Sequence, residues 1–143
     1  MVTSPNHPDN YPSNLQKTET IQVEQGLVIS LQFTAFNIIK KWDSTCDHDH
    51  LTITDGDGTT LLEKSCGSSS DGDVIVGGQS IGSSLPAAIS TSNVVNLVFS
   101  TNDYDYFDNG ISGWSVSWSA VTPGECQQCN LVNLSFLIKT RPE

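Results

Sequence analysis

Basic residues are scarce: six Lys and Arg stand against sixteen Asp and Glu, a formal net charge of −10 over 143 residues. A nucleic-acid binder needs a basic face to displace counterions, so that class is excluded. The same deficit disfavours docking on anionic lipid. Helix formers are also few, with one Met, little Lys and no run of 3.6-residue period. No apolar run is long enough to span a bilayer, which argues against membrane insertion. Nor does the N-terminus carry a basic-then-apolar leader, because Met1-Val2 passes directly into "TSPNHP". Met1 therefore reads as an initiator placed ahead of a piece of a longer, secreted chain. No serine sits in the sharp strand-to-helix turn that activates a nucleophile, since helix patterns are absent, so the chain reads as no enzyme.

What is present is Ser, Thr, Gly and Asn in quantity, the composition of an all-β extracellular module. The length suits one domain, which at this size buries roughly two-thirds of the surface its unfolded chain exposes. "SPNHPDNYPSN" is irregular, since Pro5, Pro8 and Pro12 block ladder bonds. Strands are expected at 20–23, 27–36, 50–54, 59–63, 74–76, 87–91, 93–100 and 113–120. In 27–36, Ile29, Leu31 and Phe33 alternate with Ser30, Gln32 and Thr34. In 113–120, Trp114, Val116 and Trp118 alternate with serines, which predicts one buried face for all three. "DGDG" between 54 and 59 is a hairpin signal, because Asp-Gly supplies positive φ. Seven or eight strands separated by turns predict an antiparallel β-sandwich. Composition shifts near 121–123, so residues 1–121 read as the domain and 122–143 as an extension with one more candidate strand.

Several blocks, in order, resemble the CUB domain family of complement-type proteases, astacin-like proteases and spermadhesins. They are "SPNHPDNYPSN", "FTAFNI", "CDHDHLTITDG", the "CG" at Cys66-Gly67, and "NVVNLVFSTND" with "GISGWSVSW". The resemblance covers about residues 3–121. It implies a jelly-roll sandwich of secreted or cell-surface proteins that recognises protein partners, sometimes glycans, often with Ca²⁺. Most CUB domains carry a first disulfide with its second cysteine after the "YP.N" block and a Trp two residues on. Lys17 and Glu19 occupy those places here. The remaining family bridge is implied at Cys46–Cys66.

Calcium-binding members use three carboxylates, and hard oxygen ligands suit Ca²⁺. Asp49 matches the second. The third falls on Asn102, or on Asp103 with one residue inserted. The first falls on Ile39, which cannot ligate, leaving Asp43 as a substitute if the loop is remodelled. The tyrosine that braces such sites is His7 here. His48 and His50, two apart on a strand, would share a face at a spacing compatible with zinc, whereas the resemblance makes them stand-ins for aromatic rings. Cys126 and Cys129 form either a local bridge or half-bridges to the rest of the parent chain. Asn133 opens an N-glycosylation pattern. The acidic stretches read as solvated loops, as cation ligands, or as a surface for a partner's Lys or Arg, with Tyr104, Asp105 and Tyr106 as candidate contacts. In the alternative reading, a carbohydrate-binding or matrix-associated module, Tyr104, Tyr106 and Phe107 stack on sugars.

Overall fold

The alternation seen in the sequence becomes ten strands in the computed structural model, which describes residues 1–40, 45–102 and 111–123. They are β1 (Val2–Thr3), β2 (Gln16–Gln22), β3 (Val28–Ile38), β4 (His50–Asp55), β5 (Thr60–Ser68), β6 (Val74–Val76), β7 (Gln79–Gly82), β8 (Ala87–Ile89), β9 (Val94–Ser100) and β10 (Gly113–Val121). Among the described residues there is no helix, and hence none long and apolar enough to cross a membrane. One antiparallel sheet runs β1-β10-β3 with β8 on the far side of β3. The other runs β2-β9-β4-β5, extended by β6 and β7. The two pack as the expected antiparallel jelly-roll β-sandwich.

The last residues of β5 leave β4 and pair with β3, Ser68 with Asn37 and Gly67 with Ile38. Gly67 makes this crossing at φ +97°, and a Cβ there would collide with the Asp73 carbonyl, so glycine is required. The implied bridge is present: Cys46 is disulfide-bonded to Cys66, pinning the approach to β4 onto β5.

Inside the sandwich, Ile29, Leu31 and Phe33 of β3 are buried as their alternation predicts. The phase then slips. Ala35 pairs with Ser115 but Phe33 with Val116, so Thr34 is an extra residue and the buried set resumes at Phe36 and Ile38. Trp114 and Phe99 meet edge to face at 5.8 Å, as do Phe33 and Phe36 at 5.5 Å and Tyr11 and Phe99 at 5.0 Å. Each such pair contributes about 0.5–1.5 kcal/mol beyond its buried area.

Trp118 corrects the sequence expectation. It is 38% exposed, not buried beside Trp114 and Val116. β1 pairs with β10 only at Ser115 and Val116, so beyond that point β10 has a strand neighbour on one side alone. The short strands β1 and β7 also go beyond the expected set.

Candidate functional site

The site forms where β4 begins and β9 ends. His50 pairs with Ser100; His48 and Asp49 immediately precede β4, and Thr101 and Asn102 immediately follow β9. Asp49 is 2% exposed. Its Oδ1 accepts the Asn102 main-chain N–H at 3.0 Å, and its Oδ2 accepts the Tyr11 hydroxyl at 2.7 Å. The Tyr11 oxygen in turn accepts the Ile39 N–H at 2.9 Å. Three separate segments, the N-terminal strap, the end of β3 and the end of β9, thus converge on one carboxylate.

The strap is held in place by Thr101. Its hydroxyl donates to the Pro12 carbonyl and accepts the Leu15 N–H, while its own N–H bonds the Leu15 carbonyl. Further bonds run from Asn14 N to the Asn102 carbonyl and from Tyr11 N to the Ile111 carbonyl. Of the two flanks of the acidic 103–110 segment, Asn102 thus reaches Asp49 directly and Ile111 reaches it through Tyr11. Burial, and then the adjacent carboxylate, push the Tyr11 phenol well above its ordinary range, so it acts as a neutral donor at every physiological pH.

This tyrosine is the brace that the motif comparison assigned to position 7. His7 instead bonds the Ser112 carbonyl through Nδ1 at 2.9 Å. Tyr11→Phe keeps the edge-to-face contact with Phe99 but removes the hydroxyl that links Ile39 N to Asp49 Oδ2. It is expected to cost about 1–3 kcal/mol, the usual penalty for leaving buried polar groups unmatched. Urea denaturation checks this, and an unchanged midpoint would remove Tyr11 from the site.

The histidines do not share a strand face, because His48 precedes β4 and only His50 belongs to it. Asn102 donates from Nδ2 to His48 Nδ1 at 2.8 Å. His50 is held below the usual imidazole range by burial and then by the Lys64 charge. Lys64 itself donates to Asp47 at 2.7 Å on the exposed side of this end. Among the described residues no three His, Cys, Asp or Glu side chains gather in a metal-sized group. Of the expected cation ligands, the described residues place Asp49 and Asn102, the latter giving its main-chain N–H to Asp49 and its side-chain amide to His48. Asp43, Asp103, Tyr104, Asp105, Tyr106, Phe107, Cys126, Cys129 and Asn133 lie outside the described residues.

Against known proteins, the family model described as CUB domain matches residues 1–117. Pig (Sus scrofa) cubilin is 33% identical over 126 residues, 87% of this chain and 3% of that protein. Mouse (Mus musculus) tolloid-like protein 1 is 39% identical over 70 residues, 48% of this chain and 7% of that protein. The chain therefore spans only a small part of these relatives. Among solved structures, the CUB1-EGF-CUB2 region of human MASP-1/3 superposes with a TM-score of 0.69 at 23% identity, over 89% of this chain and 43% of that one. The MASP-1 CUB2 domain bound to Ca²⁺ superposes at 0.57 and 24% identity, over 82% of this chain and 88% of that one. With its sandwich, its Cys46–Cys66 bridge and this match across most of its length, the chain belongs to the CUB domain family.

Proposed function

We propose that this chain is a non-catalytic recognition module of a larger extracellular protein, and that it grips a Lys or Arg of a protein partner. Carboxylates around Asp49, ordered by Ca²⁺, would do the gripping. The observation that carries this reading is the buried Asp49 carboxylate, held by Tyr11 and Asn102 at the mouth of the acidic 103–110 segment. Support for location comes from the Cys46–Cys66 disulfide, a bond that persists in oxidising, extracellular surroundings. Residues 1–121 are the module in this reading, and 122–143 begin a following segment.

The donor chemistry fits Ca²⁺. Asp49 brings hard oxygens, and an ionised carboxylate has about four lone-pair sites, so accepting hydrogen bonds is compatible with ligation. Asp43 and Asp103 are the proposed further ligands. Ile39 contributes its N–H to Tyr11 rather than a side-chain ligand. When bound, the cation supplies positive charge that holds these carboxylates together. The carboxylate edges left facing solvent then attract a basic side chain, with Tyr104, Asp105 and Tyr106 as flanking contacts. Such an interaction weakens in high salt and with chelator.

A thermal melt with and without chelator tests the site. For a dissociation constant of ~10⁻⁴ M at ~10⁻³ M Ca²⁺, linkage gives about 1.4 kcal/mol. That corresponds to about 3–6 °C for a domain of this size. Asp49→Asn is expected to abolish the shift. A wild-type melting temperature indifferent to Ca²⁺ would refute the cation-ordered reading.

A further inference from the structure

We propose a modification site: Asp71 converts spontaneously to isoaspartate through a cyclic imide with Gly72. An aspartate followed by glycine is where this reaction meets least resistance, because the second residue has no side chain to shield its main-chain nitrogen or restrict its backbone. The chain holds three such pairs, Asp55-Gly56, Asp57-Gly58 and Asp71-Gly72. Their sequence ranks them equally, and the fold separates them.

The step balances with water as its only co-reactant. The Gly72 nitrogen bonds to the side-chain carboxyl carbon of Asp71, its proton and the carboxyl hydroxyl depart as one water, and a five-membered imide closes. Water then reopens the ring at either carbonyl. Breaking the new C–N bond restores aspartate. Breaking the original peptide C–N bond leaves the main chain running through the former side chain, which is isoaspartate. Nothing is oxidised or reduced, and the net charge is unchanged. The carboxyl must therefore swing onto the next nitrogen, in its neutral form, with water at hand.

Asp55 fails on each count. It is 1% exposed, its oxygens are held by Gly56, Ser92 and Thr91, and those donors favour the ionised form. Asp57 is exposed, but its Oδ1 accepts the Thr59 N–H at 2.9 Å, which fixes the carboxyl toward the residue beyond Gly58. Asp71 lies between β5 and β6, exposed together with Ser70 and Gly72. Among the described residues its carboxyl has no hydrogen bond or ion pair. The Gly72 N–H reaches the Ser69 carbonyl at 3.2 Å, the long end of the range, and a Cβ placed on Gly72 would meet only the Ser83 hydroxyl within 4 Å. Isoaspartate adds one carbon to the main chain inside the 68–73 loop. That loop is closed by the Ser68 N–H on Asp73 Oδ1 at 2.8 Å and by the Asp73 N–H on the Ser68 carbonyl at 3.2 Å. A longer main chain between these residues misaligns both bonds.

The test incubates folded chain in mildly acidic buffer at physiological temperature, in parallel with chain unfolded in guanidinium chloride. Electron-transfer fragmentation of the peptides tells isoaspartate from aspartate at each position. In the unfolded chain all three pairs should convert at similar rates. In the folded chain isoaspartate should accumulate at 71 and not at 55. Conversion at 57 should be about fivefold slower than at 71, the factor imposed by one hydrogen bond that must break first. Asp71→Glu, which would need a larger ring, should abolish conversion at 71 and leave the domain folded. Aged protein should also exchange the Ser68 and Asp73 amides faster than fresh protein. The Asn109-Gly110 pair lies outside the described residues, and its conversion is read apart because loss of its amide changes the mass. Equal conversion at 57 and 71, accumulation at 55 in the folded chain, or none at 71 where the unfolded chain converts overturns the proposal.

Discussion

Converting Cys46 and Cys66 together to alanine is expected to lower the unfolding free energy by about 3 kcal/mol. The bridge joins residues 20 apart in sequence, and in the chain-entropy model a loop of that length restricts the unfolded ensemble by this amount. Both sulfurs are in the core, Cys66 wholly buried and Cys46 nearly so, and alanine fills the space incompletely. Cys46 also sits at φ +57°, a left-handed conformation that costs a non-glycine residue and that the bridge holds in place. For a domain of this size, the melting temperature should fall by about 6–12 °C. A functional consequence follows, because Cys46 is three residues ahead of Asp49. Freed from β5, the 46–49 segment loses its anchor, so any Ca²⁺-dependent shift in melting should shrink even where the variant is still folded. A double variant that melts within a degree of the parent would show that hydrogen bonding alone fixes this segment.

The site was partly legible in the residues, and the division has a physical basis. Period-two alternation marked β3, β9 and β10 because a half-buried sheet sorts side chains by face. It failed at Thr34, where one inserted residue reverses the phase, and at Trp118, where the alternation continues but the covering neighbour does not. β1 and β7 are short pieces whose pairing partners are remote, leaving no local periodicity to read. Asp49 was visible because the "C.YD"-like block carries a side-chain signature. Its actual partners were not. Two of the three bonds in the chain of contacts use main-chain N–H groups, of Ile39 and Asn102, which every residue but proline has. Tyr11 is the exception, an aromatic side chain directly before Pro12 and so a signal the sequence does display.

Asp55 shows that the same stretch of sequence holds a second buried carboxylate with an entirely structural task, and replacing it by alanine is expected to cost about 3 kcal/mol. Hydrogen bonds to a charged group are worth about 1.5–3 kcal/mol, and stranding buried donors adds its own penalty. Asp55 Oδ1 accepts the Gly56 N–H at 2.8 Å and the Ser92 hydroxyl, and Oδ2 accepts the Thr91 N–H and hydroxyl, both at 2.8 Å. The carboxylate so ties the β4–β5 turn to the β8–β9 turn, at the end of β4 opposite Asp49. Burial alone would raise its pKa, but the donors of Ser92, Thr91 and Gly56 outweigh burial and hold the carboxyl below its ordinary range. The sign of the pH dependence follows. With the folded pKa below the unfolded value of about 3.9, the unfolded chain binds the proton more readily as the solution is acidified. This stabilisation is full above the unfolded pKa and lost as pH falls through the folded one. Wild type and Asp55→Ala should therefore differ most near neutrality, and their unfolding free energies should converge below pH 4. Urea denaturation across pH 2–7 measures this directly. A gap that stays constant down to pH 2 would mean that the alanine variant fails through packing, not through loss of the charged acceptor.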